Sequence, residues 1–140
     1  MAFSFEFAEA EQVLRLTFTG ELTDSILLDA ASKARVVALS LPPCKSIVDL
    51  SCVTSYQVST PVVMRFAESP PVRPDQPSPV IVAPKDVSFG MSRMFEMLSH
   101  GVRPNMHVVH TMNEAYKWLG VESPDFHTIG APGENGPRNS

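Results

Sequence analysis

Val80-Ile-Val-Ala-Pro-Lys-Asp-Val-Ser-Phe-Gly-Met-Ser-Arg-Met-Phe-Glu-Met-Leu98 reads as a buried strand, a break at Pro84 and an amphipathic helix opening at Asp86. Residues 80–83 are wholly apolar, without the alternation of a half-exposed strand. That is the pattern of a strand covered on both faces. Pro84 has no N–H to give a ladder, so the strand stops there. From Asp86 onward apolar residues return every three or four positions. At 100° per residue, Val87, Met91, Met94, Phe95 and Leu98 form one stripe, predicted to face the sheet. Phe89 and Arg93 fall on the far side as i,i+4 neighbours that can stack on each other. Phe89 either folds over rim loops of its own chain or belongs to a contact patch for a partner or a second copy.

Upstream, Phe3-Ser-Phe-Glu-Phe7 and Val13-Leu-Arg-Leu-Thr-Phe18 alternate apolar and polar residues, the period of a strand. So short a link as residues 8–12 predicts an antiparallel hairpin, because a parallel pair needs a long crossover. Gly20 breaks the second strand. Thr23 or Asp24 caps a helix carrying Leu27, Ala30, Ala31, Ala34, Val37, Ala38 and Leu41 at helical spacing, and Pro42-Pro43 ends it. Ile47-Val-Asp-Leu50 is the next strand, followed by a polar loop over 51–59. Thr60-Pro61 reads as N-cap and first residue of a short helix. The proline-rich residues 69–79 read as a stiff surface connector. A last strand at 107–109 precedes Thr111-Met-Asn-Glu114, a capping box, and a helix that ends at Gly120. Residues 121–140 are polar, lack periodicity and read as a flexible tail.

The predicted fold class is therefore α/β. A mixed sheet of about five strands begins with an antiparallel hairpin and continues as β-α repeats with a parallel core. Residues 1–120 form a single domain, followed by the tail at 121–140.

Composition narrows the function classes. A chain of 140 residues can bury a sizeable core as one domain. Its 44% hydrophobic content is that of an ordinary globular protein. A net charge of −4 gives no support to binding nucleic acid, which usually needs a basic face, or an anionic membrane. Residues 1–12 hold three glutamates and no Lys or Arg, unlike a secretory signal. No apolar run approaches the ~20 residues of a membrane span. The expected location is cytoplasmic. Cys44 and Cys52 flank a predicted strand, which would separate them by roughly 26 Å at about 3.3 Å per residue. That exceeds disulfide reach, so both are expected to be buried free thiols.

No catalytic set emerges. His107 and His110 are three apart in a strand and so point to opposite faces, unsuited to sharing a metal. No metal and no cofactor is expected. There is no phosphate-binding glycine loop and no serine-nucleophile elbow. Asp49 interrupts an apolar strand and needs a partner if buried, most simply by bonding loop amides or capping the adjacent turn. Lys85 stands beside a helix start that could attract an anion, but an Asp86 cap would already occupy those amides.

Taken in order, Leu16-Thr-Phe-Thr-Gly-Glu-Leu22 and Ile47-Val-Asp-Leu-Ser-Cys-Val-Thr54 resemble the strand–Gly–x–Leu segment and the central Asp-bearing strand of the STAS superfamily, the anti-sigma-factor antagonist (SpoIIAA-like) fold. Residues 84–96 and 113–120 resemble more specifically a short STAS-like bacterial group. The resemblance spans about residues 3–120. It implies a non-catalytic regulatory or protein-interaction domain, not an enzyme, with a protein partner or a second copy as its target. The alternative it implies is a small-ligand or lipid-binding domain with an apolar pocket beside the sheet. Partner-switching members carry a phosphorylated Asp-Ser at the second helix start. Counted from Asp49, those places fall on Gln57 and Val58, so the motif is absent in register. Ser59, one residue late, is the phosphorylation candidate. The candidate binding residues are Phe89, Arg93, Lys85, Asp49 and Ser51.

Overall fold

A computed structural model describes residues 2–73 and 75–129. In chain order the elements are β1 (Phe3–Ala8), β2 (Val13–Thr23), α1 (Asp24–Ser40), β3 (Lys45–Gln57), α2 (Thr60–Glu68), β4 (Val80–Val82), α3 (Asp86–Leu98), β5 (His107–Val109), α4 (Met112–Leu119) and β6 (His127–Ile129). The strands form one mixed sheet in the order β5-β4-β3-β2-β1-β6. β1 pairs antiparallel with β2 and β6, while β2, β3, β4 and β5 run parallel. The fold class is as the sequence predicts, with one strand more. β6 lies in the stretch read as tail, pairing Phe5 with Ile129 and Phe7 with His127. Residues 130–140 lie outside the described residues.

Alternation along the strands sorts the core into two faces. Phe3, Phe5, Leu14, Phe18, Leu22, Leu50, Ile81 and Val108 point to one face, where α1, α2 and α3 pack. Ala8, Val13, Ile47, Val80, Val82 and Val109 point to the other, covered by Ala115 of α4 and by Phe126. On that second face Glu6 gathers Ser4, Arg15 and Thr17 at 2.7, 3.1 and 2.9 Å. The Arg15 guanidinium lies 4.0 Å from the centre of the Phe126 ring.

Four boundaries differ from the sequence reading. β2 runs through Gly20 to Thr23, and β3 runs past Leu50 to Gln57, because the two strands pair in register along this length. Two irregularities in β3 absorb extra residues, one between Asp49 and Cys52 and one between Val53 and Ser55. Gly20 sits beside the second at φ +79°, which a side-chain-bearing residue adopts only with strain. Thr60 is the first helical residue of α2, and Ser59 holds the N-cap. Lys85, not Asp86, is the N-cap of α3, and it makes no side-chain capping bond. The Thr23 cap of α1 and the Thr111–Glu114 capping box of α4 form as the sequence predicts. Both cysteines are free thiols; Cys44 is buried, whereas the bulge in β3 leaves Cys52 exposed.

The largest departure is the rotation of α3. Its buried residues are Ser88 and Ser92, while Val87 is 63% and Leu98 47% exposed. The helix is turned about 90° from the hydropathy stripe, at 100° per residue. Several contacts fix that rotation. The Lys85 ammonium donates to the Val53 carbonyl at 2.6 Å. The Phe89 ring stacks on His110 with centres 4.0 Å apart. The Ser88 and Ser99 hydroxyls donate to the carbonyls of Lys85 and Phe95, so their polarity is satisfied locally. Small side chains thus meet the sheet where methionines were expected.

Candidate functional site

The rotation of α3 leaves space between the sheet and its helices. A cavity of about 420 Å³ lies on the three-helix face. Its floor is made by inward-pointing strand residues: Leu16, Phe18 and Leu22 from β2, Val48 and Leu50 from β3, and Ile81 from β4. α1 contributes Leu27, Ala31, Ala34 and Arg35; α2 gives Val63 and Phe66; α3 gives Met91, Ser92 and Phe95. A second cavity of about 390 Å³ adjoins it toward Phe5, Leu14 and Ala38. Leu16, Ala34, Val48, Val72, Pro79 and Arg103 belong to both walls.

The proline-rich connector is part of this architecture. Pro70, Val72 and Pro79 close the first cavity; Pro71, Arg73, Gln76 and Pro77 close the second. One arginine ties the connector to the end of α1, and another, in the loop after α3, ties that loop to α2. Arg73 Nη1 donates to the Leu41 carbonyl at 2.7 Å, and Arg103 Nη1 to the Phe66 carbonyl at 3.3 Å. A segment read as a plain surface connector therefore serves as a wall.

The first cavity's polar groups are few: Arg35, Tyr56, Ser69, Ser92 and Arg103. Burial, assisted by the nearby Asp24 carboxylate, pushes the Tyr56 phenol up to about 12. The ordinary value in an unfolded chain is about 10. The folded state thus holds this proton more tightly than the unfolded state does. The resulting stability is fully present below about pH 10 and is lost as pH rises toward 12. The loss should amount to about 2 kcal/mol across that window, since each tenfold difference in proton affinity is worth ~1.4 kcal/mol. Urea unfolding at pH 9 and pH 11.5 should show Tyr56→Phe losing less stability than the wild type over this step. Parallel profiles for the two proteins would remove Tyr56 as the cause.

The residues expected from sequence lie outside both walls, each engaged within the chain. Asp49 is buried, and its Oδ1 accepts from the Ser51 N–H at 3.0 Å and the Ser51 hydroxyl at 2.6 Å. It thus stabilises the backbone at the first bulge of β3. Lys85 is spent on the Val53 carbonyl, so its charge does not sit ready at the start of α3. Phe89 stacks on His110, and Arg93 pairs with Glu96 at 3.2 Å, so the two do not stack on each other. Ser59 gives its N–H and its hydroxyl to the two Asp24 oxygens, each at 2.8 Å. A phosphate there would stand against that carboxylate. His110 lies one residue beyond β5, not in the strand; His107 stacks on Trp118 of α4, and His110 on Phe89 of α3. Among the described residues no three His, Cys, Asp or Glu side chains cluster to hold a metal.

No protein-family model matches the chain, and no curated protein matches it. Among the described residues no helix is long and apolar enough to cross a membrane.

Sequence reasoning missed the cavity residues because each reads as ordinary core or loop. One signal was available. Ala31 and Ala34 on α1 and Ser88 and Ser92 on α3 are small residues on helices that cover the same sheet face. Small residues on facing helices leave volume unless the helices close together.

Proposed function

We propose that this chain is a non-catalytic, STAS-like domain that holds an apolar small molecule between its sheet and α1, α2 and α3. The carrying observation is the cavity of about 420 Å³ walled by Leu, Val, Phe, Ala and Met side chains, with a second of about 390 Å³ beside it. Ligand sites commonly have volumes of about 300–1,000 Å³, apolar walls and a few placed polar groups. The lining argues against an enzyme. Among the described residues no histidine and no carboxylate lines either cavity, so neither wall offers a general base. Tyr56, pushed up to about 12, keeps its proton at neutral pH. The Phe89–Arg93 surface supports a partner-binding reading less well, since both side chains already have neighbours in the chain.

The test uses the neutral probe N-phenyl-1-naphthylamine, whose emission rises in apolar surroundings. The folded wild type should raise it saturably. Ala34 lies in both walls, so Ala34→Phe should fill the shared space and weaken binding roughly tenfold or more, by loss of about 1.5–3 kcal/mol of apolar burial. Its far-UV circular dichroism should match the wild type. Absence of probe binding by the folded wild type, or equal binding by Ala34→Phe, would overturn the reading.

A further inference from the structure

We infer that the ligand is an anionic amphiphile, an alkyl chain ending in an oxyanion, and that Arg103 receives its head with Arg35 alongside. This rests on the apolar-ligand reading above and specifies the chemistry of that same site.

The chain carries 15 Asp and Glu against 11 Lys and Arg. Yet Arg35, Arg73 and Arg103 line the two cavities, and among the described residues no acidic side chain does. An apolar hollow edged only by cations attracts a molecule that is apolar along its length and negative at one end.

Arg103 is the cation best placed to receive the head. It belongs to both walls, where the cavities meet. It is partly buried, and burial pushes its guanidinium below the ordinary value. Its neighbours are the Phe66 carbonyl at 3.3 Å and the Phe95 ring, whose centre lies 5.6 Å away. Neither carries a countercharge, and no carboxylate pairs with it among the described residues. A guanidinium has five N–H donors, so most of this one's remain for a ligand. Leaving a partly desolvated cation without a counter-ion is unfavourable, and an oxyanion would relieve it. Arg73 differs, being held by the Leu41 carbonyl and Asp75. Arg35 is exposed, lines the first cavity and pairs with no carboxylate among the described residues.

The buried Gln76 side-chain oxygen, in the second wall, has no hydrogen-bond partner among the described residues. The oxygen and nitrogen of such an amide are interchangeable by a flip, so this position also offers N–H donors to an anion.

The experiment compares decanoate, decyl phosphate and decanol at pH 8 by displacement of N-phenyl-1-naphthylamine. At least one anion should bind the wild type roughly tenfold or more tightly than decanol, as expected for hydrogen bonds to a charged group. The tighter anion identifies the head as carboxylate or phosphate. Arg103→Gln should bring the anions down to the affinity of decanol measured on the same variant. The exposed Arg35→Gln, which leaves the packing intact, should reduce the preference about threefold and covers the case in which Arg103→Gln does not fold. Equal binding of the anions and decanol by the wild type would overturn the oxyanion while leaving the apolar ligand standing. A preference that survives both variants would overturn its placement. If neither the probe nor any of the three compounds binds, the apolar-ligand reading itself fails.

Discussion

Phe18→Ala should lower stability by about 3–5 kcal/mol, the usual cost of removing a buried phenylalanine. Phe18 is 1% exposed and belongs to the larger core cluster, its ring 6.1 Å from that of Phe3. A typical domain has only about 5–15 kcal/mol in total, so the midpoint of thermal unfolding should fall by roughly 10–15 °C. Phe18 is also part of the floor of the first cavity, so the space it vacates joins volume already there. The variant should therefore recover stability when an apolar ligand is supplied. A ligand at a hundred times its dissociation constant returns about 2.7 kcal/mol. Urea unfolding with and without N-phenyl-1-naphthylamine checks both halves. A loss below about 1 kcal/mol, far under the usual cost, would mean that Phe18 does not anchor this face.

Ending the chain at Gly120 should cost about 2–4 kcal/mol and, more visibly, make the protein self-associate. The deletion removes β6 from the outer edge of β1, together with Phe126, its packing on the second core face and its contact with Arg15. A partly buried phenylalanine contributes about 1.5–3 kcal/mol and an exposed cation–π contact about 0.5–1. The six residues of β1 would then offer an open edge rich in phenylalanine, with Glu6 its single charge. Such an edge templates pairing with another chain. Sedimentation velocity at rising concentration should show dimers or larger species for the truncated chain and not for the full one. A monomeric, equally stable truncation would show that β6 protects nothing.

Much of the fold could be read because its signals are local. The hairpin follows from alternation in Phe3–Phe7 and Val13–Phe18 with a short link. The helices follow from Thr23, Pro42, Thr111 and Gly120, which act within a turn of where they stand. What escaped depends on partners far along the chain. His127-Thr-Ile129 is too short to show a strand period, and it pairs with β1, more than a hundred residues earlier. β3 continues past Leu50 because β2 lies beside it. The rotation of α3 escaped because hydropathy counts serine as polar, whereas Ser88 and Ser99 satisfy their hydroxyls on the helix's own carbonyls. The cavity escaped for a related reason: periodicity tells which residues face inward, not whether the inward space is filled. Asp49 was legible as a buried acid needing nearby donors, and Ser51 provides them. The arginines at the cavity carried no motif; only their joint position distinguishes them.

The strand order β5-β4-β3-β2-β1-β6 bears on how the protein is made. β1 ends at Ala8 and β6 begins at His127, 119 residues later (127 − 8). At roughly 5–20 residues per second, a ribosome takes about 6–24 s to extend the chain from one to the other. Throughout that interval the nascent hairpin has no permanent neighbour on the Phe5–Phe7 side. Vectorial synthesis therefore sets a window in which holdase chaperones, or slow codons placed late in the message, would have their greatest influence on yield.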